Sequence, residues 1–277
     1  MFAKLLKQEW KDSYKLLSLL SACALSAGVV AAVLLWLMLT LQDQPVPQST
    51  SEALNLIYIP IFGGIVLAFL YIAVYVVATQ YILLYRFYKS RFTDRGYLMF
   101  TLPVKTEYHF LVPAVNMLIW KVISCMIAAL AILMVVGVAM VWMRIIETGI
   151  ISEIKDFCNI SGSEIYFSLS ALTFFCRLIT FISRTASSIA CVVIGSTISK
   201  NHKVLATIGV FFGVNMVSSI ASSILGLIPE ILMLAPGGNI DAALYLSPVL
   251  SCIVPLIIGI VGYILAVKLM KNKLNLP

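Results

Sequence analysis

The sequence predicts an all-α membrane protein of six transmembrane helices, and three observations carry that prediction. The 277 residues are 61% hydrophobic and 11% charged, against about 25% charged in an ordinary soluble domain. Several apolar runs exceed the roughly 20 residues that cross a hydrocarbon core about 30 Å thick at 1.5 Å per residue. Unbroken runs such as Ile61 to Val77 also exclude a β-barrel, whose strands of about ten residues alternate in polarity between turns.

At the start of the chain, Phe2, Leu5, Leu6, Trp10, Tyr14 and Leu17 recur at helical spacing, with Lys4, Lys7, Lys11 and Lys15 between them. This pattern predicts an N-terminal amphipathic elbow helix over 1–15, lying in the inner headgroup layer. It serves either as a topology anchor or as an element that also packs beside a cytoplasmic partner. A six-span transmembrane domain over 16–277 follows, with spans at about 16–41, 56–85, 111–143, 165–198, 204–228 and 247–269. Four of these are longer than the hydrocarbon requires, so they tilt, project or break. In the second, Pro60 with Gly63 and Gly64 predicts an interruption near its start. Leu20-Ser21-Ala22-Cys23 has the form of a lipoprotein cleavage box. The apolar stretch before the cysteine is shorter than a signal requires and the run continues to Leu41, so an uncleaved span is expected.

Between the second and third spans, Arg86 to Phe110 is charged, aromatic and punctuated by Gly96 and Pro103. A short helix, a break and a re-entry toward the membrane are expected there. Exposed aromatics mixed with arginine have the composition of a protein-docking surface. The fourth span carries Arg177 and Arg184, seven apart, with Thr173 and Thr180 on or beside the same stripe. An arginine at the bilayer centre costs at least about 2.5 kcal/mol, so such a stripe ordinarily faces protein or water. Two readings stay open: the pair lines a translocation path and holds a substrate carboxylate, or it snorkels and pairs to fix packing. Residues 144–164 form a longer acidic outer segment. Pro229, Pro236, Gly237 and Gly238 predict short half-helices on the outer face between spans five and six.

Orientation follows from the basic residues, which are retained on the cytoplasmic side. With the N-terminus inside, that side holds Lys4, Lys7, Lys11, Lys15, Arg86, Lys89, Arg91, Arg95, Lys105, Lys200, Lys203, Lys268, Lys271 and Lys273, which are fourteen of the 19 basic residues. Both termini are then cytoplasmic. The net charge of +7 is that of a basic inner face against anionic lipid and calls for no nucleic acid. The six cysteines make no CxxC pair or metal-ligand spacing, and five lie within spans as small buried hydrophobes.

No Gly-x-x-x-x-Gly-Lys-Ser/Thr phosphate loop occurs, nor HExxH or Gly-x-Ser-x-Gly. The only histidines, His109 and His202, fall in cytoplasmic loops, so no enzyme is expected in this chain. All twelve acids fall in loops or at span ends, whereas ion-coupled carriers place acids inside their spans.

Asp94-Arg95-Gly96-Tyr97-Leu98 followed by Thr101-Leu102-Pro103-Val104 resembles the acidic-x-Gly-Thr/Tyr-Leu then Leu-Pro-Val-Ser stretch of type-2 ATP-binding-cassette (ABC) transporter permeases, small bacterial exporter subunits in particular. Lys105 departs from the usual Ser or Thr, and Val112-Pro113-Ala114 replaces the small-Lys pair that commonly opens span three. The resemblance implies a permease that binds no cofactor itself. Two copies of an ATP-binding subunit would hold ATP and Mg, and a second permease chain, identical or homologous, would complete the transporter in a bacterial cell membrane. It makes the loop between spans two and three a coupling helix that docks on the ATPase, carried here by Arg86, Lys89, Arg91, Phe92, Asp94, Arg95, Gly96 and Tyr97. Peptides, lipids and drugs all fit as cargo. An ion-coupled secondary transporter and a non-transporting sensor or immunity protein are the alternatives.

Overall fold

A computed structural model describes residues 2–42, 51–92, 106–142, 163–198, 202–234 and 240–273. They form six helices: α1 Phe2–Gln42, α2 Ser51–Arg91, α3 Thr106–Trp142, α4 Ser163–Ile198, α5 Lys203–Leu234 and α6 Ile240–Lys273. No strand occurs among the described residues. All six helices are long and apolar enough to cross a membrane. At 32 to 41 residues they run about 48–62 Å, well beyond the hydrocarbon thickness, so their charged ends extend past it.

Three expectations about breaks are corrected. The basic amphipathic segment is present, with Lys4, Lys7, Lys11 and Lys15 exposed and Leu17 buried, but it is continuous with the first span. No glycine or proline occurs before Gly28, so nothing in the chain ends the helix at residue 15 and no separate elbow forms. Helix α2 passes through Pro60, Gly63 and Gly64 without interruption. Proline is tolerated in apolar helices because local adjustment re-satisfies the freed carbonyl, and Pro113, Pro248 and Pro255 are likewise inside helices. The predicted half-helices are absent as such: α5 runs through Pro229 to Leu234, and α6 starts at Ile240.

The chain divides into two compact units, Met1–Glu9 with Leu83–Leu118 and Ser161–Pro277, and Trp10–Ile82 with Ile119–Ile160. In the second unit the helices meet through small residues. A Cβ added at Gly28 would lie 2.7 Å from Ala131 Cβ and 3.0 Å from its Cα. The adjoining core is Ala31, Ala32, Ala68 and Val135. Trp10 and Trp120 stack with ring centroids 4.9 Å apart.

In the first unit α4 packs on α5 and α6, which also touch each other. A Cβ added at Gly195 would run into the Thr207 backbone, one at Gly259 would lie 3.0 Å from Ser183, and one at Gly262 would lie 3.0 Å from Ala190 Cβ. Phe110 meets Tyr263 edge to face at 5.1 Å. Between helices that lie in lipid, apolar burial supplies little driving force, and close approach through Gly, Ala and Ser takes its place. The buried hydroxyls of Thr79 and Ser124 donate to their own helix, to the Tyr75 carbonyl at 2.9 Å and to that of Trp120 at 2.9 Å, so these two leave no unsatisfied donor in hydrocarbon. Cys176, Cys191 and Cys252 are buried, whereas Cys23 and Cys125 are exposed on their helices. A thiol is as compatible with a lipid-facing surface as with a core, which is why burial was not required of all of them.

Candidate functional site

Two sets of charged side chains stand out. The first is at the C-terminal end of α2. Over Leu84, Phe87 and Arg91 the helix repeats at intervals of three and four, and all three side chains are buried. Arg86 and Lys89 project from another face, half-buried and exposed respectively. The Phe92 amide donates to the Tyr88 carbonyl at 2.9 Å, and its ring stacks on Tyr88 with centroids 6.2 Å apart. Asp94, Arg95, Gly96 and Tyr97, and with them the expected coupling helix, lie outside the described residues. The expected short helix after Arg86 is instead the last turn of α2.

Arg91, expected on the docking surface, is turned inward and only 3% exposed. Its Nη2 donates to Glu9 Oε1 at 2.8 Å, and its Nη1 donates to the His109 carbonyl at 2.6 Å. The same Nη1 lies 3.2 Å from His109 Nδ1. A guanidinium cannot accept, so Nδ1 is the acceptor and the ring proton sits on Nε2. The guanidinium also lies over the Phe87 ring at 5.6 Å. His109 is in the first turns of α3 rather than in a loop and precedes the 111–143 apolar span. An imidazole that accepts at Nδ1 and keeps its proton on Nε2 is neutral. Glu9 supplies the counter-charge to the buried guanidinium. This cluster ties the first turns of α1 to the two helix ends that flank residues 93–105.

Glu9 and His109 were not singled out in the sequence. The available signal was the apolar stripe Leu84, Phe87, Arg91, in which a charge sits where the pattern demands burial and so needs a partner. Nothing in the spacing named Glu9 as that partner, because the two are 82 positions apart.

The second set is on α4. Cys176, Ser183 and Ala190, seven apart, are buried, and Ser183 and Ala190 meet the glycines of α6. Arg177 and Arg184, one residue further along, are exposed, beside exposed Phe174, Phe175, Leu178 and Ile182. Neither guanidinium makes a hydrogen bond or ion pair among the described residues. Thr173 donates to the Leu169 carbonyl at 2.8 Å and Thr180 to that of Cys176 at 2.9 Å. Their hydroxyl protons are therefore committed to the helix, and of the predicted path residues only the arginines offer free donors. Further along the helix, Ser188 and Cys191 turn into the packed side. At roughly 2.5–3.5 kcal/mol for each arginine at the bilayer centre, the exposed pair is the largest local electrostatic penalty in α4.

Comparison with protein-family models, with curated proteins and with solved structures gives no match to this chain.

Proposed function

We propose that the chain is the transmembrane permease subunit of an ATP-driven ABC exporter, working with a separate pair of ATP-binding subunits and a second, identical or homologous permease chain. The observation that carries this reading is the stretch Asp94-Arg95-Gly96-Tyr97-Leu98 with Thr101-Leu102-Pro103-Val104, placed in the connection between α2 and α3. Its stems favour such a role. Arg86 is half-buried and Lys89 exposed at the end of α2, while Arg91 and His109 brace the two helix ends against Glu9. A loop that transmits a push has to be held by rigid stems, and a buried, charge-assisted network supplies that rigidity.

In this reading ATP and Mg belong to the partner ATPase, whose closure on 86–97 rocks the helices and moves cargo outward. The basic start of α1 lies at the inner headgroup layer, both termini are cytoplasmic, and the membrane is a bacterial cell membrane. The sequence offers no carboxylate within the spans for a coupling ion, which favours a nucleotide-driven pump over a secondary transporter. The test is co-purification of the tagged full chain with a P-loop ATPase from its native membrane. Replacing Asp94 and Arg95 by Ala should reduce ATPase recovery at least about tenfold, equivalent to about 1.4 kcal/mol, with membrane insertion unchanged. A chain that transports as an ATPase-free monomer sinks the proposal.

A further inference from the structure

The two exposed arginines of α4 meet no counter-charge among the described residues. Glu164 and Lys200 bracket the apolar stretch of the helix, and its midpoint falls between Arg177 and Arg184. At 1.5 Å per residue Arg177 lies about 7.5 Å and Arg184 about 3 Å from the midpoint of a core about 30 Å thick. An arginine stem of about 6 Å does not reach the headgroup layer from there. Acidic residues are absent from 13–42, 53–93, 108–146, 165–229 and 242–277. A second copy of the chain therefore brings no carboxylate to this depth either. The anion that meets these side chains has to come from a different molecule.

We propose that Arg177 and Arg184 form a binding site for the phosphate headgroup of a lipid. Three features select that chemistry. Both positions are arginine, whose planar fork matches phosphate oxygens in pairs and is more weakly hydrated than an ammonium. Their spacing lets both stems converge on a single phosphate beside Thr180, whose own hydroxyl proton is held by the Cys176 carbonyl. On either side the same helix exposes Phe174, Leu178 and Ile182, an apolar surface that acyl chains cover and a soluble anion does not. A phosphate at mid-membrane depth is a headgroup in transit between leaflets. The inference thus deepens the proposed function by naming its cargo class, and it rests on that function only for the movement, not for the binding.

The test uses the purified full chain in neutral detergent, titrated with phosphatidylglycerol or with diacylglycerol of the same acyl chains, with bound lipid read by native mass spectrometry. Wild type should favour phosphatidylglycerol by about tenfold, the scale of one set of charge-assisted hydrogen bonds. Arg177→Gln/Arg184→Gln should lose the preference, and Arg177→Lys/Arg184→Lys should keep part of it. Circular dichroism checks that the variants are folded; if the double Gln variant is not, the two single Gln variants carry the same expectation. Retention of full preference by folded Gln variants overturns the proposal. So does displacement of the lipid by inorganic phosphate at equal concentration, which marks a water-filled anion site. Because no ATPase is present, the outcome is independent of whether the chain pairs with one.

Discussion

Arg91 is buried in the last turn of α2 and engaged by Glu9 and His109 from two other helices. Removing one partner of a buried ion pair leaves the other charge uncompensated, which costs about 3–5 kcal/mol, whereas replacing both with apolar groups is often close to neutral. Glu9→Gln and Arg91→Met should each lower the thermal midpoint of the purified protein markedly, and Glu9→Gln/Arg91→Met should recover much of that loss. A double variant whose loss equals the sum of the single losses would show that the pair is not coupled.

At the scale of the helix, tolerance to substitution is set by what a side chain meets rather than by propensity. Gly195 faces the Thr207 backbone and Gly28 faces Ala131, while a Cβ at Gly63 or Gly209 meets nothing within 4 Å. Gly195→Ala and Gly28→Ala should therefore destabilise by about 1–3 kcal/mol, the range for overpacking. Gly63→Ala and Gly209→Ala should be neutral or slightly stabilising, since Ala is favoured over Gly in a helix by about 1 kcal/mol. Thermal unfolding in one detergent ranks the four variants, and a cost at Gly63 equal to that at Gly195 would refute the packing argument. The existence, number and order of the helices were legible in the sequence because length and unbroken apolarity are local properties. Their ends were less so. Pro60, Pro229 and the change of amphipathicity near residue 15 are helix-ending signals in water, where a freed carbonyl is solvated. In hydrocarbon an unpaired backbone group is so costly that helices run through such signals. That Arg177 and Arg184 share one stripe followed from the helical period. Which stripe α6 would occupy did not, because the fit of Gly259 and Gly262 against Ser183 and Ala190 joins distant segments.

For the whole molecule, the distribution of charge argues for one orientation held redundantly. Basic residues occur in the first turns of α1, between α2 and α3, between α4 and α5, and at the end of α6, whereas 43–50 and 235–239 carry none. Orientation responds to Lys and Arg in short segments near span ends, so four separate basic segments act in the same sense. Single cysteines placed at Gln48 and Ser161 in a cysteine-free background should react with an impermeant maleimide on intact cells. Cysteines at Lys105 and Asn201 should react only after permeabilisation. The redundancy makes a stronger prediction: replacing Lys4, Lys7, Lys11 and Lys15 together by Gln should leave that labelling pattern unchanged, because the basic residues at 86–105, 200–203 and 268–273 remain. Reversal by the four N-terminal changes alone would mean that the first helix dictates topology by itself. A pattern unchanged by them but reversed when Arg86, Lys89, Arg95 and Lys105 are also neutralised would place the orienting charge in the connection between α2 and α3, where the proposed ATPase docking also requires the cytoplasm.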